Sequence, residues 1–389
     1  SRASRPPRRP RPASCVPRPE HGVPVTVAAR TRKRSPEAAA SAALTLPAHF
    51  AERVVAWQRS HGRSELPWQN TRDPYRVWLS EVMLQQTQVT TVLGYFARFL
   101  ERFPDVRALA EGTEDEVFGL WSGLGYYSRA RNMHRCAQEV MARFGGSFPQ
   151  TAAELATLPG IGRSTAAAVA AFCFGERVAI LDGNVKRVLT RVLGFGDDLS
   201  SSASERLLWE HATRLLPPAD DREAIASYTQ GQMDLGATVC LPRKPSCMLC
   251  PVNDSCVARR EGSPERYPVK TRKLRRTAQS LWVLLARDAK GRVWLEKRPA
   301  KGIWAGLHCL PVFDSHDELL AALPAAERDR CEDLAPFVHV LTHKDLHLHP
   351  VRIDGGTPQG DAARWVEASE WLGLGLPAPV RKLLENTGG

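Results

Sequence analysis

Four cysteines set within seventeen residues, Cys240-x6-Cys247-x2-Cys250-x5-Cys256, constrain this chain more than any other feature. Four thiolates in so short a loop can close around one tetrahedral ion or one iron–sulfur cube, because both need soft, anionic sulfur converging from several sides. Zinc ribbons usually present two short knuckles, and here only Cys247 and Cys250 form one, so the spacing by itself leaves zinc and iron open. The other five of the nine cysteines, Cys15, Cys136, Cys173, Cys309 and Cys331, stand alone. A disulfide framework is therefore not expected, and the chain reads as intracellular.

A length of 389 residues predicts two or three domains. The formal charge of +11 is concentrated in two places. Residues 1–46 hold ten Lys/Arg against two Asp/Glu, residues 240–276 hold ten against three, and the remainder is net −4. Two such blocks point to a polyanionic partner. The longest apolar run, Ala166–Phe174, is too short to span a bilayer, so no membrane association is expected. The N-terminal stretch has no carboxylate before Glu20 and no apolar core, which excludes a secretory signal. Pro6, Pro7, Pro10, Pro12 and Pro17 oppose the amphipathic helix of a transit peptide, so 1–46 reads as a disordered basic arm.

Apolar residues at three- and four-residue spacing predict helices at 52–60, 75–103, 114–121, 129–144, 165–174, 185–193 and 205–216. Residues 47–239 form an all-helical domain on this reading, 240–257 a cysteine loop, 258–278 a charged linker and 279–389 a smaller α+β domain. In that last part, 279–287 and 292–298 read as strands around a turn at Lys290-Gly291, with a second strand pair at 337–341 and 346–353 and a short helix near Ser369. His339, His343, His347 and His349 would line one face of that pair, but no acid or thiolate joins them and a metal site there is not expected.

Leu158-Pro-Gly160-Ile-Gly162-Arg163-Ser164-Thr165 follows an apolar stretch and opens an Ala-rich one. Two glycines one residue apart permit a tight hairpin whose N–H groups, with the helix start behind them, can face a phosphate. About twenty residues on, Asp182 stands at a helix start, where its plain role is an N-cap. Hairpin, aspartate and cysteine loop in this order resemble the endonuclease III superfamily of DNA glycosylases. The resemblance implies a [4Fe-4S] cluster on Cys240, Cys247, Cys250 and Cys256, with the basic loop lying against the DNA backbone. Bifunctional members carry a lysine where this chain has Ser164. A hydroxyl cannot form the Schiff base that leads to strand cleavage, so a monofunctional enzyme is expected.

Longer stretches narrow the resemblance. Trp78-Leu-Ser-Glu81-Val-Met-Leu-Gln-Gln-Thr-Gln88, Leu66-Pro-Trp-Gln69 and Gly123-Leu-Gly-Tyr-Tyr-Ser-Arg-Ala-Arg-Asn132 are similar to MutY-type adenine DNA glycosylases. That family implies Glu81 as general acid, Asp182 as the anion beneath a positive sugar, and Asn184 holding the aspartate or the attacking water. It further implies Gln86 and Tyr126 as wedges in the base stack, Gly160 and Gly162 at the DNA backbone, and Leu66 and Trp68 lining an adenine pocket. Residues 279–385, through Gly302-Ile-Trp-Ala-Gly-Leu-His-Cys-Leu-Pro311 and Phe337-Val-His-Val-Leu-Thr-His343, resemble the family's Nudix-like domain, which reads 8-oxoguanine. Where relatives commonly have Phe-Ser-His this chain has Leu341-Thr342-His343, keeping a hydroxyl but losing the ring. Glu318, Glu327 and Glu332 lack the Glu-Glu pairing that holds Mg²⁺ in a hydrolysing Nudix enzyme, so that domain is expected only to recognise.

The fold expected is thus a mainly α catalytic region with a helix-hairpin-helix and an iron–sulfur loop, followed by an α+β Nudix-like domain. The partner implied is double-stranded DNA with an 8-oxoguanine:A mispair, bound by a monomer. Two rivals are an oxidised-pyrimidine glycosylase of the endonuclease III type, opposed by Ser164 and the C-terminal domain, and a non-catalytic iron–sulfur DNA-binding or redox-sensing protein, opposed by Glu81 together with Asp182. A bacterial source would make the chain cytoplasmic, a eukaryotic one nuclear or mitochondrial.

Overall fold

The computed structural model describes residues 45–218, 221–272, 275–356 and 363–387. All but the last two residues of the expected 1–46 arm, and with them Cys15, lie outside that set. Twelve α-helices precede the first strand among the described residues: α1 Phe50–His61, α2 Pro74–Leu84, α3 Val89–Arg102, α4 Val106–Glu111, α5 Glu114–Trp121, α6 Tyr127–Phe144, α7 Ala152–Leu155, α8 Arg163–Val169, α9 Gly183–Leu193, α10 Ser202–Arg214, α11 Arg222–Thr238 and α12 Val257–Arg260. None of the described helices is long and apolar enough to cross a membrane.

These helices bury two apolar cores. One gathers Trp78, Met83, Phe99, Trp121 and Val140 from α2, α3, α5 and α6. The other gathers Phe50, Val188, Leu189, Tyr228 and Val252 from α1, α9, α11 and the cysteine loop. Phe172 packs against both, from a π-helical turn (Ala170–Phe174) that continues α8.

Several local outcomes differ from the sequence expectation. The single helix expected over 75–103 is two, broken at Gln85–Gln88, where Gln86 adopts a left-handed φ of 58°. No proline or glycine marks that break; the carbonyls it frees are taken by a side chain distant in sequence, Arg129. The seventeen-residue α11 is absent from the expectation because Gly231 and Gly236 dilute its apolar period. Gly236 is there for close approach, since a Cβ at that position would lie 2.6 Å from Asn184 Cβ. The short α4 is likewise unforeseen.

The C-terminal part is a mixed sheet of β1 Thr277–Arg287, β2 Val293–Lys297, β3 His308–Cys309, β4 Val312–Phe313, β5 Glu332–Asp333, β6 Phe337–Val340, β7 Lys344–Asp354 and β8 Ala363–Val366. Its spine is β1 running parallel to β7 over their whole length, Thr277 opposite Lys344 through Arg287 opposite Asp354. Helices cover both faces. Helix α13 (His316–Ala321) puts Leu319 on Leu284 and Val351, while α14 (Ala368–Trp371) and α15 (Ala378–Thr387) put Trp371, Val380 and Leu384 on Val283 and Leu285. Register corrects the histidine expectation. Val338 faces His347 and His339 faces Leu346. Because side chains alternate along a strand, His339 lies on the opposite face from His347 and His349. His349 instead stacks on Trp282 at 4.5 Å.

The sheet docks on the helices through polar contacts: Lys297 Nζ to Asp115 Oδ1 at 2.7 Å, the Tyr127 hydroxyl to the Leu376 carbonyl at 3.0 Å, and the Arg131 guanidinium to the Ala305 carbonyl.

Candidate active site

A cleft of about 1430 Å³ opens between the two helical cores. It exceeds the ~300–1,000 Å³ of ordinary small-molecule pockets, as a site for one unit of a polymer would. Glu81, Asp182, Asn184, Ser164, Gln86, Leu66 and Trp68 all line it. Glu81 reaches it from α2, whose start is fixed by Asp73 capping Tyr75 N–H with Pro74 in the first turn, and whose other face buries Trp78, Leu79 and Met83. Asp182 enters from the opposite core at the head of α9.

The two acids have different surroundings. Asp182 Oδ1 accepts from Val185 N–H at 2.7 Å, the N-cap expected, and Oδ2 accepts from Asn184 Nδ2 at 3.3 Å. Burial raises its pKa, against the pull of these donors and of Arg187. The Glu81 carboxyl receives no hydrogen bond among the described residues. Burial, and then the charge of Asp182, pushes it up to about 7. Ser164 is not a free hydroxyl: its Oγ accepts Leu181 N–H at 3.2 Å and so anchors the segment leading to Asp182. Trp68 is buried edge-on against Phe96 at 5.2 Å, and the Leu66 N–H is held by Gln69 Oε1 at 3.3 Å.

The hairpin has the expected form. Gly160 sits at φ 75°, and a Cβ there would lie 2.6 Å from Asn132 Cβ. Gly162 is exposed at the N-cap of α8 with open space around it. Neither glycine lines the cleft.

A profile described as HhH-GPD superfamily base excision DNA repair protein matches residues 79–214, the iron–sulfur binding domain of endonuclease III matches 240–256, and a NUDIX domain matches 282–386. The adenine DNA glycosylase of Buchnera aphidicola subsp. Acyrthosiphon pisum (strain APS) is 36% identical over 344 residues, covering 87% of this chain and 97% of the relative. That of Homo sapiens is 42% identical over 403 residues, covering 86% and 73%. The chain belongs to the adenine DNA glycosylase family. A thermostable thymine-DNA glycosylase of known structure aligns at TM-score 0.48 and 27% identity, covering 55% of this chain and 95% of its own.

As an adenine DNA glycosylase of base excision repair, the chain carries a [4Fe-4S] cluster, and its cysteine loop fits one. Cys240, Cys247, Cys250 and Cys256 line one common cavity. Four soft thiolate donors converging on one cavity from a short loop are the donor set that an iron–sulfur cube requires. Arg191, fully buried, braces the loop by donating to Cys240 Sγ at 3.3 Å and to the carbonyls of Leu241 and Pro242.

Sequence reasoning missed how the glycosylase ties this loop to its cleft. Arg187 donates to the Cys240 carbonyl at 2.7 Å, the Gly236 carbonyl at 2.6 Å and Asn184 Oδ1 at 2.9 Å. Its spacing of three from Asn184 on a helix was the available signal. Tyr126, Thr342 and His343 stand outside the cleft. Tyr126, in a left-handed conformation with 45% of its surface exposed, meets Thr342 Oγ1 through its hydroxyl at 2.6 Å. The expected wedge Tyr126 and the expected lesion reader Thr342 are therefore neighbours across the two domains.

Proposed function

We propose that this glycosylase removes undamaged adenine opposite 8-oxoguanine, or opposite guanine, by acid-assisted hydrolysis of the N-glycosidic bond, and that it does so as a monomer without strand cleavage. The observation that carries the reading is one cleft lined both by a glutamate whose carboxyl accepts no hydrogen bond among the described residues and by an aspartate capping a helix.

Adenine in a duplex hides its glycosidic bond, so the nucleotide is extruded into the cleft at a cost of a few kcal/mol. Gln86 and Tyr126 fill the vacated stack, Leu66 and Trp68 receive the purine, and Thr342 with His343 reads the opposite base. Glu81 donates its proton to N7, and the C1′–N9 electron pair then leaves with a neutral base rather than an anion. The sugar left behind is oxocarbenium-like. Asp182, whose donors favour its anion against the burial that raises its pKa, faces that charge, Asn184 keeps the carboxylate oriented, and the water that adds at C1′ gives its proton to the Glu81 carboxylate. Ser164 offers no amine, so the product keeps an intact strand. The cluster on its four cysteines supplies a covalent staple for the basic loop, which meets the phosphates.

Single-turnover adenine release from an 8-oxoguanine:A duplex, with G:A and thymine-glycol duplexes in parallel, tests the reading. Fast release from the first, slower from the second and none from the third is expected. Processing of thymine glycol alone would overturn it.

A further inference from the structure

Arg129 is half-buried between the two turns that carry the proposed wedges, and its guanidinium is divided between them. Nη1 donates to the carbonyls of Val82 (2.8 Å), Met83 (3.1 Å) and Gln85 (2.7 Å), which are the last acceptors of α2 and the first residue of the Gln86 turn. Nη2 donates to the carbonyls of Leu124 (3.1 Å) and Gly125 (3.2 Å), immediately before Tyr126, and to Thr87 Oγ1 (3.4 Å). The same cation lies 5.2 Å from the Trp121 ring centroid and 5.5 Å from that of Tyr126. Both wedge residues adopt left-handed backbone, Gln86 at φ 58° and Tyr126 at φ 50°. Non-glycine residues hold such conformations only where the surroundings over-determine them. One side chain supplies the surroundings for both.

We propose that Arg129 is a positioning residue that sets the spacing between Gln86 and Tyr126, so that the two enter the base stack as one rigid two-pronged tool. The proposal rests on the wedge reading above. A guanidinium suits the task because its donors are fixed in one plane, so two turns bonded to its two ends keep one separation. A lysine carries the same charge but is a single rotatable centre, and it cannot hold five carbonyls on two sides at once. What Arg129 supplies is needed when a stacked, paired adenine is forced out and is superfluous when the adenine is already extruded.

The test uses the full chain with Arg129→Lys, and Arg129→Gln as a second variant, with rates normalised to active sites counted by burst amplitude. Single-turnover adenine release is measured on a paired 8-oxoguanine:A duplex and on a duplex whose target adenine lies in a small unpaired loop. Both variants are expected to lose about ten-fold or more on the paired substrate and less than about three-fold on the looped one, and to cost nothing further in a Gln86→Ala/Tyr126→Ala background. Equal loss on both substrates, additivity with the wedge variants, or failure of both variants to fold would overturn the proposal and leave Arg129 a purely structural residue. If the Gln86→Ala/Tyr126→Ala protein itself leaves the paired-to-looped ratio unmoved, the wedge reading falls and this inference with it. If that protein shifts the ratio while Arg129→Lys does not, this inference alone falls.

Discussion

Glu81→Gln should stabilise the protein while abolishing its chemistry, and the stabilisation should grow with pH. The carboxyl would titrate near 4.5 in the unfolded chain and titrates at about 7 in the folded one. Between those values the unfolded state releases a proton that the native state keeps, so the contribution of this group to stability falls as pH rises and is lost above about 7. A shift of that size corresponds to about 3 kcal/mol in full, and to about 2 kcal/mol over the window from about pH 5.5 to 8.5. Gln, of nearly the same shape, has no proton to lose. The stability difference between Glu81→Gln and the parent should therefore move by about 2 kcal/mol in the variant's favour across that window, read from denaturant unfolding followed by helical circular dichroism. Release of adenine should behave in the opposite sense. In the parent, the single-turnover rate should be half-maximal near pH 7 and fall tenfold per pH unit above it, because only the protonated acid can donate. In Glu81→Gln it should drop by about 10²–10⁴ and become flat with pH. A stability difference that does not change with pH would refute the titration argument, and a parent rate that stays level to pH 9 would refute the acid role.

Asp182→Asn should keep the cap on α9, since Asn caps as well as Asp, and so alter stability by less than about 1 kcal/mol; adenine release should nonetheless fall by about 10² or more, measured in single turnover. Ser164→Ala leaves the buried Leu181 N–H without its acceptor and should cost about 1–3 kcal/mol in denaturant unfolding. Gly160→Ala must combine a φ of 75° with a 2.6 Å approach to Asn132 Cβ, so it should destabilise by at least about 1 kcal/mol and weaken duplex binding. Gly162→Ala meets open space at an extended φ and should stay within about 0.5 kcal/mol of the parent by thermal melting, while an unchanged melting temperature for Gly160→Ala would show the hairpin to be more yielding than the geometry allows.

The features legible in the sequence are those whose chemistry demands a residue type at a fixed spacing. The four-cysteine loop, the Gly-x-Gly hairpin and the aspartate at a helix start each announce themselves within a few residues. What stayed hidden depends on partners far apart in sequence. The break after α2 is invisible in Gln-Gln-Thr-Gln, because the side chain that receives its carbonyls is Arg129, over forty residues later. Helix α11 hides behind glycines placed for Val54 and Asn184 rather than for its own period. The four histidines looked like one row because strand alternation was counted along the chain, whereas the turn between β6 and β7 resets the phase. The meeting of Tyr126 with Thr342 joins residues 216 positions apart and could be found only once the domains were placed together.

Burial opposes ionisation of Glu81 and Asp182 alike, so desolvation cannot be what assigns one the proton and the other the charge. The difference lies in donors. Asp182 is the N-cap of α9 and accepts from one of the N–H groups that a helix start leaves unpaired, with Asn184, two residues on, adding an amide. Glu81 sits late in α2, where the backbone has no free N–H to offer and the nearest charge repels it. The donors favour the anion at Asp182, while at Glu81 burial raises the pKa with nothing to offset it and the charge of Asp182 adds to the rise. Arg187, bonded to Asn184 on one side and to the Cys240 carbonyl on the other, holds that amide where Asp182 needs it. Arg187→Gln should therefore free the Asn184 amide, let the Asp182 pKa rise and draw that of Glu81 down, moving the alkaline limb of the rate profile to lower pH. A limb that stays in place while only the maximal rate falls would mean that Arg187 braces the loop and leaves the two acids untouched.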